Sequence, residues 1–469
     1  MLFILILIAL LSQFNGLFGQ DSYEYMKLER AITHHFISGE TITNSVFPIG
    51  YALIGSIVQY IFQDDIFAMQ CISMVSLCIA FFYFKKLLYL LYGAKEEVNY
   101  FAIIFFLLSP YMLRFGLLVM SDMLCIMLYL IFLYYTFLYL KTYRTNELAI
   151  AAIVATCCIF VRYASVVAVS IPVCYVLYHL IKQKHFFKIF LCVFLFLLFS
   201  LPELILRHRF IFWNFDSEYA GFAYFYVPMQ WSFENFFKHE FMNLDGHQIY
   251  VLPNLLFVFE NIVHPAFIFC GVFFLFFLKK SDLLKKESIL ILSVILLYAL
   301  FAAGYPYQSR RYLLFTFPLV LLIFYPAFLQ AMAWCKLERT LKNTILICCL
   351  LLQCFLFIIS SKTIYSMNKT EKEIAGEIQK TAAGKNIYTF SIDGALNTYQ
   401  VDYVFFDIYR NIFQEIEPNS MLLFNEPAFN EQFSDLNPVK NFRFIQSQYQ
   451  LKERATFKNG WKLYDIENK

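Results

Sequence analysis

Charge is scarce in this sequence. Of 469 residues only 15% are charged while 60% are hydrophobic, and the first nineteen positions carry no charge at all. A water-soluble chain of this size would have more apolar surface than one core can hide, so the composition excludes a soluble globular protein and leaves a polytopic membrane protein. The formal net charge of +3 is too near balance to suggest a nucleic-acid partner. There is no P-loop, dinucleotide glycine fingerprint, HExxH or GxSxG motif, and the chemistries those motifs carry go with them. Cysteine is missing from the polar loops and the C-terminal tail: all twelve lie within or at the ends of apolar runs, which is no disulfide framework. The adjacent pairs Cys157 and Cys158, and Cys348 and Cys349, lack His or carboxylate neighbours and read as small-residue packing rather than metal ligands.

What is present is a succession of apolar runs. A span needs about 20 such residues. Runs near 1–19, 66–92, 98–116, 121–140, 147–163, 165–181, 188–206, 259–278, 288–304, 312–332 and 343–361 predict about 11 transmembrane helices, with Arg162 marking either a break between two short spans or a charge inside one long helix. With 57 Phe and 33 Tyr, aromatic stripes are lipid-facing and packing material, and no cofactor box is read into them. Lys and Arg crowd alternate short loops, including Lys85, Lys86 and Lys95, Lys182, Lys184 and Lys188, and Lys336, Arg339 and Lys342, which assigns those loops to the cytoplasm. It follows that the N-terminus faces in and the residues after 361 face out. The first run lacks the basic n-region and small-residue cleavage site of a signal peptide and is expected to be an uncleaved anchor.

Two outward loops are long. Residues 20–65 predict two interfacial helices, 22–37 and 47–62, the second too short and too rich in Pro48, Gly50 and Gly55 for a span. Residues 207–258 are aromatic with scattered His, Asp and Arg. Two domains are expected, a membrane domain over 1–361 and a small outward α/β domain over 362–469, the latter a passive cap. Its short strand-like stretches end in KERATFKNGWKLYDIE, where Asn459 and Gly460 predict a two-residue hairpin turn.

The chemistry must come from a handful of ionisable residues. Asp21 and Glu24 follow the first run and share a helix face three residues apart. Asp122, Arg114, Arg162, Arg310 and Arg311 all fall at outward helix ends, where a charge against the bilayer is costly and functional by default. Each alone has a bland alternative: a cap for either Asp, snorkelling for any Arg. Together they break the positive-inside bias on one side, and cations beside carboxylates suit a lipid phosphate held next to a base.

The ordered set resembles the integral-membrane glycosyltransferases of the GT-C fold, particularly the family 39 branch of protein O-mannosyltransferase-like, aminoarabinose-transferase-like and RgtA/B/C/D-like enzymes. It comprises Asp21 in GQDSYEY, the Pro-containing FPIGYALI, Ser109-Pro110 then Ser121-Asp122, Arg162, and SRRYLLFTFP, over residues 1–335. DSYE departs from the adjacent Asp-Glu of many relatives, and Glu24's role is the point it touches. The resemblance implies inverting transfer of a sugar from a polyprenyl-phosphate donor to a lipid, glycan or protein acceptor on the outer side of the membrane; the lack of clear secretory or retention signals suits a bacterial inner membrane. Asp21 would then be the general base, Asp122 would position acceptor or base, and Arg162, Arg310 and Arg311 would hold the lipid phosphate. The three guanidinium groups could neutralise that phosphate without a metal, while Asp21, Glu24 and Asp122 leave a divalent-cation site open. Two rivals stand: a lipid-linked-sugar or polysaccharide transporter, and an O-antigen polymerase or ligase drawing on Arg207, Arg209, His239 and His247.

Overall fold

A computed structural model describes residues 1–42, 45, 47–207, 209–210, 213–214, 230–243, 246–334 and 339–469. Among them seven helices are long and apolar enough to cross a membrane, and a bent pair makes an eighth. The seven are Asp65–Tyr92, Asp122–Thr142, Ser165–Lys182, Phe186–Arg207, Lys286–Ala303, Arg310–Trp334 and the apolar part of Arg339–Thr381. Arg310–Trp334 is the innermost, its apolar window 89% buried, while Phe186–Arg207 turns a lipid-facing surface outward with 11% buried. The helix carrying the two expected phosphate-binding arginines is thus the packed centre of the bundle.

Three of the eleven expected runs fall short of a span. The first becomes the eleven-residue helix Leu2–Ser12. The second ends early as Thr145–Val161, because Arg162 leaves the helix in an extended conformation (φ −156°) and the next helix starts only at Ser165; two helices, not one, flank that charge. The third, 259–278, breaks into Glu260–Val263 and Gly271–Leu275. Pro265 and Gly271 interrupt it, and the Asn254 and Asn261 amides bond neighbouring backbone, Asn254 to Ala303 and Asn261 to Leu313. The bent pair has its own cause. Glu96–Leu107 ends in a π-helical turn, Ala102–Leu107, and Pro110 opens Pro110–Leu117 at an angle of 62°. Ser109 Oγ, at the corner, donates to the Phe267 carbonyl at 3.0 Å.

The first long loop holds the two expected helices, Gly19–Ser38 and Ile49–Phe62. Tyr25, Met26, Leu28 and Ile32 form the buried face of the first, and Tyr51 of the second donates to the Met69 carbonyl at 2.8 Å. Before them, Gly16 sits at φ +85°, where a Cβ would come within 2.9 Å of the Leu117 carbonyl; its own carbonyl accepts from Val119 N at 2.8 Å. That close approach sets the turn at Asp21 beside the segment leading to Asp122. Much of the second long loop, including residues 215–229, lies outside the described residues, as do Lys336 and the side chains of Arg209, Arg339 and Lys342.

Helix Arg339–Thr381 runs straight through residue 361, the expected domain boundary, into a five-stranded mixed sheet. Its spatial order is Tyr403–Asp407, Lys385–Thr389, Ser420–Asn425, Trp461–Asn468, Tyr449–Thr456, the first three parallel and the last two antiparallel. Ser420–Asn425 is buried along its whole length, and Phe424 stacks on Phe442 with centroids 4.3 Å apart. The final hairpin is longer than a two-residue turn. Asn459 and Gly460 do take positive φ, but Lys458–Gly460 form a short 3₁₀ turn closed by Phe457 N on the Trp461 carbonyl at 2.8 Å.

Candidate active site

Four of the seven singled-out residues form one chain of ion pairs. Asp122 opens helix Asp122–Thr142 and is 4% exposed; Arg162 donates to its Oδ1, and Arg311 Nε donates to its Oδ2 at 2.6 Å. The same Arg311 extends Nη1 to Asp21 Oδ2. The order is therefore Arg162, Asp122, Arg311, Asp21, with Asp122 the most buried at 4%, both arginines 14% exposed and Asp21 the most accessible at 41%. Arg162 also lies 5.6 Å from the Tyr312 ring centroid. Neither aspartate caps a helix. Phe18 precedes the helix of Asp21 and Ser121 that of Asp122, and neither makes a side-chain cap bond; both carboxylates instead sit in a first turn, where the helix dipole favours them.

Arg310 stands apart. Its guanidinium makes a two-pronged pair with Glu260, 2.9 Å from Nε to Oε2 and 2.8 Å from Nη2 to Oε1, and is 48% exposed. Glu24 joins neither group. Burial pushes its carboxyl above the usual range, opposed by Lys27 and reinforced by Asp393 and Asp21.

A cavity of about 850 Å³ opens above this chain. Gly19, Gln20 and Asp21 line one part, Tyr111, Arg114 and Phe115 of the bent pair another, and Tyr307 to Tyr312 a third, with Ile249 to Leu252, Phe257, Glu260 and Ser391 among the rest. Asp122 and Arg162 lie beneath the wall rather than in it. Arg114 points a guanidinium in among the rings of Phe18, Tyr111 and Phe115 at 5.5 to 5.9 Å. Its Nη1 reaches the Ser360 carbonyl at 3.4 Å, and its Nε has no partner among the described residues. A cavity lined by carboxylates with guanidinium groups beside them, Arg311 on Asp21 and Arg310 on Glu260, can take a phosphorylated ligand and receive a proton beside it.

Glu260 was hidden by lying inside a run counted as a span, although its i, i+4 partner His264 marked a charge in an apolar stretch. Ser391 had no local signal. As for a cation site, Asp122 is committed to two guanidinium groups, and among the described residues no three His, Cys, Asp or Glu side chains gather as a metal would need. Of the residues the polymerase reading relies on, Arg207 is buried, donating to the Phe47 carbonyl at 2.5 Å, and His247 meets Glu240 at 2.7 Å.

Residues 20–405 match the Alg9-like mannosyltransferase family. The fold is similar to that of ArnT from Cupriavidus metallidurans bound to undecaprenyl phosphate, with a TM-score of 0.63 at 10% identity, covering 98% of this chain and 97% of that one. The apo state of the same enzyme superposes with a TM-score of 0.59, also at 10% identity, over 98% and 97% of the two chains. Arabinofuranosyltransferase AftD from Mycobacteria gives 0.45 at 11% identity, covering all of this chain and 40% of that one. No curated protein matches the sequence. The GT-C fold expected from the motifs is the fold found; the matching family is Alg9-like rather than family 39.

Proposed function

The chain belongs to the Alg9-like mannosyltransferase family and is an integral-membrane glycosyltransferase, and we propose that it transfers a sugar, with inversion, from a polyprenyl-phosphate donor to an acceptor hydroxyl on the outer side of the membrane. The observation that carries this reading is the shared cavity, whose lining brings Asp21 together with Arg311, Arg310 and Arg114, Arg311 being bonded to Asp21 itself. In the proposed step the acceptor oxygen attacks C1 of the sugar from the face opposite the phosphate. Its proton passes to Asp21, the C1–O bond breaks, and the bonding pair leaves on the phosphate oxygen. The guanidinium groups stabilise that growing charge. Asp122, with both oxygens occupied, acts by holding Arg311 and Arg162 in place.

ArnT is described with undecaprenyl phosphate bound, which makes that lipid the first to test, and the family's name makes mannose the first sugar. The purified chain should bind undecaprenyl phosphate and convert β-linked mannosyl-phospho-undecaprenol into an α-linked product. A β-linked product would contradict inversion, and failure to bind the lipid or use the donor would contradict the reading as a whole. The cap at the C-terminus and the cavity would both lie on the outer side.

A further inference from the structure

Helix Phe186–Arg207 turns most of its surface outward, and its buried residues are Ser200, Glu203 and Arg207, a polar stripe near its C-terminal end. A carboxylate and a guanidinium taken out of water there are costly unless paired. Arg207 Nη1 lies 3.5 Å from Glu203 Oε1, and both side chains reach on to other elements. Arg207 donates to the Phe47 and Ser45 carbonyls. Glu203 Oε2 accepts from Ile49 N at 3.3 Å, a first-turn amide of helix Ile49–Phe62, which has no side-chain cap of its own. Glu203 Oε1 accepts from the Tyr163 hydroxyl at 2.6 Å.

Tyr163 follows Arg162 in the short break between helices Thr145–Val161 and Ser165–Lys182. The break is tied on both sides. Arg162 reaches Asp122 on helix Asp122–Thr142, while the next residue reaches Glu203 on helix Phe186–Arg207. The helix whose first turn Glu203 holds is seated against the same break: a Cβ at Gly50 would stand 2.7 Å from the Phe160 carbonyl, so that helix cannot shift inward without moving the turn before Arg162. The cavity lining among the described residues includes neither Glu203 nor Tyr163, and their influence on the reaction therefore runs through Arg162.

We propose that Glu203 is a positioning residue of the transfer site, which through Tyr163 holds the Arg162 guanidinium on Asp122. The inference rests on the proposed transfer reaction. Asp122 takes one guanidinium on each oxygen. A displaced Arg162 leaves Oδ1 without that donor and frees the carboxylate to turn toward Arg311, drawing Arg311 away from the phosphate. Hydrogen bonds weaken steeply with angle, and a guanidinium on an untethered break has no fixed direction. Turnover depends on Arg311 receiving the charge that grows as the C1–O bond breaks, so it suffers more than ground-state donor binding.

The test uses the full-length chain in native membranes with mannosyl-phospho-undecaprenol as donor. Tyr163→Phe keeps the ring and removes the hydroxyl; turnover should fall about tenfold, as loss of one hydrogen bond to a charged group would, with the donor KM changed less than about twofold. Glu203→Gln keeps an acceptor oxygen for Tyr163 and should stay within about threefold of the parent, whereas Glu203→Ala should lose about tenfold or more. In an Arg162→Lys background Tyr163→Phe should cost less than about twofold further, because residues that act through one group are not additive. Parental turnover in Tyr163→Phe, equal losses in Glu203→Gln and Glu203→Ala, or full additivity with Arg162→Lys would each overturn the proposal. The same pair of substitutions read in thermal unfolding midpoints of the purified chain needs no donor: the double variant should lose less than the two single losses combined, and simple additivity there would also overturn it. A parent that neither binds undecaprenyl phosphate nor consumes donor would instead refute the transfer reading, leaving the midpoints to decide whether Glu203 holds Arg162.

Discussion

Arg311 touches both aspartates of the site, through Nε to Asp122 and Nη1 to Asp21. Only a fork can do this. Lysine keeps the charge but cannot donate to two carboxylates in fixed directions, so Arg311→Lys should lower undecaprenyl phosphate affinity about tenfold or more and slow transfer further. Arg310→Lys should be milder, because Arg310 is half exposed and already held by Glu260; equal effects of the two variants on donor binding would contradict the ranking. A second residue makes a pH prediction. Glu29 is fully buried on the inner face of helix Gly19–Ser38, with Oε1 accepting from Thr33 and Oε2 without a partner among the described residues. Burial raises its carboxyl from 4.5 to about 7. The folded protein therefore holds this proton more tightly than the unfolded chain, so the stability is fully present below about pH 4.5 and is lost as pH rises to about 7. Glu29→Gln removes the charged form. It should leave stability unchanged at pH 4 and raise it at pH 8 by up to about 3 kcal/mol, measured by thermal unfolding in detergent at the two pH values; a constant effect across that range would contradict the assignment.

Elements explain what could be foreseen and what could not. Continuous apolar runs such as 66–92 and 288–304 were legible, because an uninterrupted stretch of about 20 residues satisfies its own backbone only as a helix; they are Asp65–Tyr92 and Lys286–Ala303. The run 259–278 has the same composition but not the same backbone. Hydropathy counts apolar side chains and does not register that Pro265 lacks a donor or that Gly271 lies where a Cβ would meet the Ile262 carbonyl at 1.7 Å. Glu260 went unnoticed as part of that run. Asp21, Asp122, Arg162 and Arg311 were legible as charges at helix ends, whereas their order in the chain of ion pairs depends on which helix packs beside which. Ser391 depends on contacts across several hundred residues of sequence and had no signal. The turn before Asp21 gives an element-scale prediction. Gly16 combines φ +85° with a 2.9 Å approach to the Leu117 carbonyl, so Gly16→Ala should cost about 1–2 kcal/mol in conformation alone and lower the unfolding midpoint. It should also reduce transfer by tilting the edge that carries Asp21; a variant with unchanged midpoint would show that the turn relaxes freely.

For the proposed reaction the whole molecule must bring a lipid-borne phosphate and an acceptor hydroxyl to one point at the membrane surface. Its innermost helix begins at Arg310 and Arg311, its first loop helix begins beside Asp21, and one long helix carries the C-terminal sheet to the same end. All of these therefore share a side of the membrane. The basic loops predict that this is the outer side, and a reporter fused after Lys469 should be active only outside the cytoplasm; a cytoplasmic signal would invert the proposed reaction. The central claim, that this assembly exists to let Asp21 take a proton while guanidinium groups receive a phosphate, is tested most directly by turnover of Asp21→Asn with mannosyl-phospho-undecaprenol. Asparagine keeps the size and the bond from Arg311 but not the basicity. The variant should insert normally, bind undecaprenyl phosphate, and lose about 10²- to 10⁴-fold in rate, the contribution of a positioned general base. Near-parental turnover with the donor bound would contradict the account.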